Sequence, residues 1–240
     1  MEAIVLAGGL GTRLKEAVAD VPKPMAPVNQ QPFLQYLMDY WVEQGVTRFI
    51  LSVGFKWKVI KKHFGSHYRG AELEYSVEDT PMGTGGGVLL ALSKLIEAKS
   101  FLLLNGDTFF KVPLESFLEF HNKNVAEISM SLSPVTGAKR YDWVHLNDQH
   151  SIERIEPRSD ESKSGLINGG VYLINPKIFA PEDWDSSSKI SLENDMIPQA
   201  LQANKNLKGY VCSDKFIDIG IPKDYKRFNQ WIESNRSFQL

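Results

Sequence analysis

Apolar positions along the chain come in two rhythms. Ala3-Ile4-Val5-Leu6, Phe49-Ile50-Leu51-Ser52-Val53 and Phe101-Leu102-Leu103-Leu104 are short, nearly continuous apolar runs. Runs of that kind predict strands buried on both faces, as in the middle of a parallel sheet. Leu73-Glu74-Tyr75-Ser76-Val77 alternates and is rich in strand formers, which predicts a further strand. Between these runs the rhythm changes to a helical one. After Gln31-Pro32, the residues Phe33, Leu34, Leu37, Met38, Trp41 and Val42 fall on one face, and Gly45 stands where a helix would end. Lys58 to Phe64 is a short amphipathic stretch whose lysines read as a solvated face, and Val88 to Ile96 predicts a third helix. Strand and helix in alternation point to an α/β fold: a Rossmann-like, doubly wound, mixed but mostly parallel sheet with helices on both faces.

The second half is less regular. Glu127 to Leu132, Trp143 to Leu146 and Gly170 to Ile174 predict strands, and Arg158 to Ser164 a polar loop. A last helix opens at Pro222 and carries Tyr225, Phe228, Asn229, Trp231 and Ile232 on its apolar side. No repeat, low-complexity tract or linker interrupts the pattern, so residues 1–240 read as one domain with halves at about 1–110 and 111–240. A chain of 240 residues, 42% hydrophobic, can bury a large core.

Charge narrows the partners. With 27 basic and 29 acidic residues the net charge is −2, which gives no global attraction to nucleic acid or to an anionic membrane. No apolar run approaches the roughly 20 residues of a membrane span. Cys212 is the single cysteine, so neither a disulfide framework nor a thiolate metal site is available. A soluble, cytoplasmic protein is expected. His63 and His67 have an i, i+4 spacing, but Gly65 and Ser66 between them weaken a helical ligand pair, and both read as surface residues.

Candidate chemistry concentrates where apolar runs end in glycine. The first strand opens into Leu6-Ala7-Gly8-Gly9-Leu10-Gly11-Thr12-Arg13-Leu14, followed by Pro22-Lys23-Pro24-Met25. Glycines let a backbone come close to a ligand with its amides aimed at negative charge, and Arg13 and Lys23 add cations. A polyphosphate is the natural guest. The stretch is not a P-loop, which needs G-x-x-x-x-G-K-[ST], nor a dinucleotide fingerprint, since Leu14 stands where a small third residue would be required. A second cluster, Pro81-Met82-Gly83-Thr84-Gly85-Gly86-Gly87, precedes the third helix, whose N-terminal amides suit an anion. Asp107 follows the third apolar run in Asn105-Gly106-Asp107, and Asp218 ends another in Phe216-Ile217-Asp218-Ile219-Gly220-Ile221-Pro222. Either aspartate alone could be a turn former or a helix cap. Asn168-Gly169 between apolar residues could be a tight hairpin turn.

Leu6 to Leu14 with Pro22-Lys23-Pro24-Met25 resembles the signature of the sugar-1-phosphate nucleotidyltransferases, and the resemblance runs from Glu2 to about Phe228. It implies the nucleotide-diphospho-sugar transferase fold, with a nucleotide-binding half followed by a sugar-binding half. By that resemblance Leu6, Ala7, Gly8, Gly9, Gly11, Thr12, Arg13, Gly83, Thr84 and Gly85 would bind the nucleotide. Asp107 and Asp218 would hold Mg²⁺, and Arg13, Lys23 and Asp107 would carry catalysis. Lys23, Gly106, Glu156, Arg158, Asn168, Gly169 and Glu193 would face the sugar phosphate. One element departs from the family. Where its F-x-E-K element has glutamate and lysine, this chain has Pro157 and Arg158, with Glu156 the nearest substitute. Glu193 reads equally as cap chemistry before a helix.

The partners implied are a nucleoside triphosphate and a sugar 1-phosphate, with homo-oligomerisation left open. Within the family the resemblance is greatest to the guanylyl-transferring members, heptose 1-phosphate first. Mannose-1-phosphate guanylyl transfer, and uridylyl or thymidylyl transfer to other sugars, are the alternatives. Two readings from other classes remain at this point: a non-catalytic nucleotide-binding regulator, and a glycosyltransferase, which would more usually show D-x-D where Asn105-Gly106-Asp107 stands.

Overall fold

The three apolar runs lie side by side at the centre of one mixed sheet. The fold was taken from a computed structural model, which describes residues 1–9, 21–96, 99–138, 140–158, 163–179, 184 and 189–235. In chain order the elements are β1 (Glu2–Leu6), a small pair β2 (Pro27–Val28) and β3 (Gln31–Pro32), α1 (Phe33–Glu43), β4 (Arg48–Val53) and α2 (Trp57–Phe64). There follow β5 (His67–Tyr68), β6 (Ala71–Val77), α3 (Gly83–Leu92), β7 (Phe101–Asn105), β8 (Thr108–Phe110) and α4 (Leu114–Lys123). The second half holds β9 (Ile128–Ala138), β10 (Trp143–Leu146), β11 (Ile152–Glu156), β12 (Lys163–Ile174), α5 (Ile197–Gln202), β13 (Leu207–Val211), β14 (Phe216–Asp218) and α6 (Pro222–Ser234).

Within the sheet the order is β11-β10-β12-β7-β1-β4-β6-β5, and β9 joins β12 to β13 off that path. The run β7-β1-β4-β6 is parallel. Period-two alternation splits its side chains between two cores. Ala3, Val5, Phe49, Leu51, Leu102 and Leu104 face α1, α2, α4 and α6, while Ile4, Ile50, Phe101 and Leu103 face α3 and α5. Helices therefore cover both faces, as the apolar rhythm predicts. No helix among the described residues is long and apolar enough to cross a membrane.

Two features position the site. The chain builds outward from β1 through β4 to β6, then returns to place β7 on the other side of β1. That reversal leaves a crevice at the carboxyl ends of β1 and β7, where ligands bind in open α/β sheets. The second feature is in β12. Its residues Val171 to Ile174 pair with β7, whereas Leu166 and Ile167 pair with β10 on the same edge. Between them β12 advances from Asn168 to Tyr172 while β9 advances only from Leu132 to Met130. Asn168-Gly169 is thus part of a bulge inside a long strand, not a hairpin turn. Gly170 takes φ +70°, and the Asn168 side chain accepts its amide at 2.9 Å.

The third helix differs from its expected start. Gly83, Gly85, Gly86 and Gly87 are inside α3, its first turns rather than a loop before it. Glycine in a helix costs about 1 kcal/mol relative to alanine. Close packing explains its use here. A Cβ on Gly85 would stand 2.7 Å from Ile190 Cγ2 and Met196 Sδ, and one on Gly87 2.7 Å from Ser52 Oγ. The short strands β8, β11 and β13 have no counterpart among the sequence expectations, whereas β14 coincides with the β-like run that ends at Asp218.

Candidate active site

Two cavities meet at the carboxyl ends of β1 and β7. The larger, about 530 Å³, is walled by Leu6, Ala7, Gly8 and Gly9 from β1 onward, by Gly83 and Thr84 of α3, and by Lys23, Ser52 and Glu78. The smaller, about 260 Å³, is lined by Arg140, Tyr141, Asp142, Arg158, Asn168, Gly170 and Asp218. Asn105, Asp107 and Glu193 line both. Whatever occupies the two cavities would meet at Asp107.

A close backbone crossing holds Asp107 there. The Gly106 amide donates to the Leu6 carbonyl at 3.0 Å, so the turn after β7 lies directly against the end of β1. Lys23, from a 3₁₀ turn entered through Pro22, donates its ammonium to Asp107 Oδ2, and Thr108 Oγ1 donates to Oδ1 at 3.3 Å. Asp218 arrives from a different direction. β14 pairs antiparallel with β8, setting Asp218 beside Thr108, the residue after Asp107. Its Oδ1 accepts the Gly220 amide at 2.6 Å and its Oδ2 accepts Arg140 Nη2 at 2.8 Å. Burial first, and then the neighbouring Asp107 carboxylate, push the Asp218 carboxyl above the usual carboxylate range. Lys23, the Gly220 amide and Arg140 oppose that rise.

These two carboxylates are near enough to repel, and a cation satisfies both. Mg²⁺ takes one or two carboxylates from a protein and leaves its other positions to phosphate oxygens and water, so the all-oxygen pair Asp107 and Asp218 fits it. No group of three or more His, Cys, Asp or Glu suited to hold a metal by itself occurs among the described residues.

Around the larger cavity Glu78 organises the wall. Its Oε2 accepts the Met82 amide at 3.0 Å, and Ser52 Oγ donates to Oε1 at 3.4 Å. A Cβ on Gly8 would stand 2.8 Å from Glu78 Oε1, so a side chain there would displace the Glu78 carboxylate. The amides of Gly85 and Gly86 point elsewhere, to the Ile190 carbonyl at 2.8 and 3.3 Å. Of the second glycine cluster, Gly83 and Thr84 reach the cavity, and Gly85 packs behind it. Gly11, Thr12 and Arg13 lie outside the described residues, as do Leu10 and Leu14.

Thr84 ties the two cavities together. Its hydroxyl donates to Glu193 Oε2 at 2.8 Å and accepts the Leu192 amide at 2.8 Å. Glu193 lies in a π-helical turn, Leu192–Met196, capped by Ser191. Such turns are frequent at functional sites. Cap chemistry and a place in the cavity wall therefore coexist in this one turn.

In the smaller cavity Asn168 is fixed by donating to the Tyr172 hydroxyl at 2.6 Å. Gly169 sits beneath the Phe110 ring, where a Cβ would be 2.4 Å from Cδ1, and it lines neither cavity. Arg158 lines the smaller cavity, its amide donating to Asp142 Oδ1 at 2.9 Å. Glu156 does not line it. In β11, Ile155 faces the cavity, so its neighbour turns to the opposite side, where Glu156 Oε2 meets His145 Nε2 at 3.0 Å.

Arg140, Tyr141, Asp142, Asn105 and Glu78 are in the walls without having been picked out as site residues. Glu78 and Asn105 end apolar strands and could have been weighed on that ground. Arg140 carries no such mark. His63 and His67 are exposed, and Cys212 is buried with Sγ 3.4 Å from the Lys111 carbonyl.

Comparison with known proteins bears on what such an arrangement does. The chain is 40% identical over 233 residues to D-glycero-alpha-D-manno-heptose 1-phosphate guanylyltransferase of Aneurinibacillus thermoaerophilus, covering 97% of this chain and 99% of that protein. It is 40% identical over 231 residues to the enzyme of the same name from Campylobacter jejuni, covering 95% and 98%. A crystal structure of HddC from Yersinia pseudotuberculosis complexed with GMP-PN superposes with a TM-score of 0.83 at 33% identity, covering 96% of this chain and 99% of that one. Residues 2–235 match the nucleotidyl transferase family, and with these relatives along nearly its whole length the chain belongs to that family.

Proposed function

We propose that the protein transfers a guanylyl group from GTP to D-glycero-α-D-manno-heptose 1-phosphate, giving GDP-heptose and pyrophosphate. The observation that carries the reading is the meeting of two cavities at Asp107, with Lys23 on one side of it and Asp218 on the other. Relatives that are 40% identical over nearly the whole chain support the choice of base and sugar.

In this reading the triphosphate lies along Gly8 and Gly9 with its base toward Glu78, and the sugar 1-phosphate fills the smaller cavity. An oxygen of the sugar phosphate attacks the α-phosphorus. The new P–O bond forms as the bond to the β-phosphate oxygen breaks, and pyrophosphate leaves with that electron pair. The attacking oxygen is already anionic near neutrality, so no strong base is required, and the protein contributes alignment and charge compensation. Lys23 draws the two phosphates together against their repulsion. Arg13 offsets charge on the departing pyrophosphate. Mg²⁺, held by Asp107 and Asp218 when bound, supplies further neutralisation of the phosphate oxygens. Asn168 and Glu193 hold sugar hydroxyls. Cytoplasmic nucleotide-sugar synthesis for a surface polysaccharide is the setting this chemistry serves.

The deciding measurement is pyrophosphate release across a panel crossing four nucleoside triphosphates with heptose, mannose, glucose and amino-sugar 1-phosphates. GTP with the heptose 1-phosphate is expected to give the highest kcat/KM. Highest release with another pair would move the assignment to that base and sugar. Nucleotide binding with no release across the panel would make the protein a regulator.

A further inference from the structure

Carboxylates outnumber cations around the smaller cavity. Asp107, Asp142, Asp218 and Glu193 line it, against Arg140 and Arg158. A phosphate monoester carries about −1.5 to −2 charges near neutrality and could not settle among four carboxylates without a cation facing it. Arg158 is exposed at the rim. Arg140 is half-buried and fixed on several sides: Nη2 donates to Asp218 at 2.8 Å, Nη1 donates to Asp224, and the guanidinium lies 5.2 Å from the Tyr141 ring centre. A guanidinium has five N–H donors in a planar fork, so two carboxylate contacts leave donors to spare. Neither carboxylate depends on Arg140 alone. Asp218 also accepts the Gly220 amide, and Asp224 also pairs with Arg227 at 3.4 Å.

We propose that Arg140 receives the phosphate of the sugar substrate, and that this contact couples sugar-phosphate binding to the placement of Asp218 through the shared guanidinium. The proposal rests on the nucleotidyl-transfer reading of the site. A purely structural role predicts something different: loss of Arg140 would lower thermal stability and turnover without singling out one substrate.

The test uses the protein and its variants Arg140→Gln and Arg140→Lys. Pyrophosphate release is measured while GTP and D-glycero-α-D-manno-heptose 1-phosphate are varied independently. Calorimetry with inorganic phosphate reads the same contact without turnover. Arg140→Gln should raise the KM for the sugar phosphate roughly tenfold or more, the scale of a charged hydrogen bond, with KM for GTP changed less than about twofold. Arg140→Lys, which keeps the charge but loses the fork, should fall between. Phosphate binding should be lost in Arg140→Gln. An unchanged sugar-phosphate KM, or equal shifts in both KM values, overturns the proposal. If Arg140→Gln melts too low to assay, Arg140→Lys decides by the same split. A wild-type protein that releases no pyrophosphate with any substrate pair defeats the transferase reading instead, and the phosphate calorimetry still tests Arg140.

Discussion

Gly106 and Leu6 touch backbone to backbone: the amide of one donates to the carbonyl of the other at 3.0 Å, and a Cβ on Gly106 would stand 2.5 Å from that oxygen. The contact sets how far Asp107 projects over the end of β1. Gly106→Ala must push the turn away from Leu6, since main chain cannot yield as a flexible side chain can. Overpacking of this kind costs about 1–3 kcal/mol. A lower melting temperature is expected, together with a fall in kcat of at least about tenfold as Asp107 moves. A variant with wild-type kcat would show that the crossing does not position the site.

Removing the carboxylates should be more severe. Asp107→Asn and Asp218→Asn keep size and remove charge, and loss of one preorganised electrostatic contact typically costs roughly 10²–10³-fold in rate. Both should also weaken Mn²⁺ binding measured by electron paramagnetic resonance. Near-wild-type turnover in both variants would overturn the assignment of these two aspartates.

Base choice should reside at Glu78. Guanine presents adjacent N–H donors on its pairing edge, and a carboxylate is an acceptor only. Glu78→Gln replaces one acceptor oxygen with a donor. The ratio of kcat/KM for GTP over ATP should fall by about tenfold. A ratio that stays put would place base recognition elsewhere on the cavity wall.

His121 makes a pH prediction far from the cavities. It is buried on α4 with Nδ1 2.9 Å from Ser129 Oγ, and burial holds its imidazole below the ordinary value of 6.5. The folded protein therefore keeps His121 neutral at a pH where the unfolded chain has begun to take up a proton. Its contribution to stability is whole above about 6.5 and declines as pH falls from there toward the folded value. Melting temperatures should drop more between about pH 7.5 and 5.5 in the wild type than in His121→Gln. Equal slopes would mean that burial does not depress this histidine.

What the sequence disclosed follows from how each feature is encoded. β1, β4 and β7 are buried on both faces, so their composition announces them. β8 is three residues long and pairs only with β14, which leaves no period to detect. β11 reads Ile-Glu-Arg-Ile-Glu, and being half-exposed it offers neither a continuous apolar run nor a full alternation. The glycines before Val88 read locally as a loop, because the residues that require them, Ile190 and Met196, arrive from about a hundred positions away. Glu156 shows how parity decides access: one residue earlier in the strand faces the cavity, and it faces out. Arg140 is the case where local pattern has nothing to say. Its partners Asp218 and Asp224 are 78 and 84 residues distant, and nothing in its own neighbourhood announces them.

The two cavities are built from different material. Into the larger one Gly8, Gly9 and Gly83 bring main chain, and a side chain added at Gly83 would run into the Ile190 carbonyl. Around the smaller one the wall is mostly side chains, among them Arg140, Tyr141, Asp142, Arg158, Asn168 and Glu193. A single base change in the gene can replace a side chain but cannot redraw a backbone. Altered preference for whatever fills the smaller cavity should therefore be within reach of one or two substitutions, whereas Gly83 admits none.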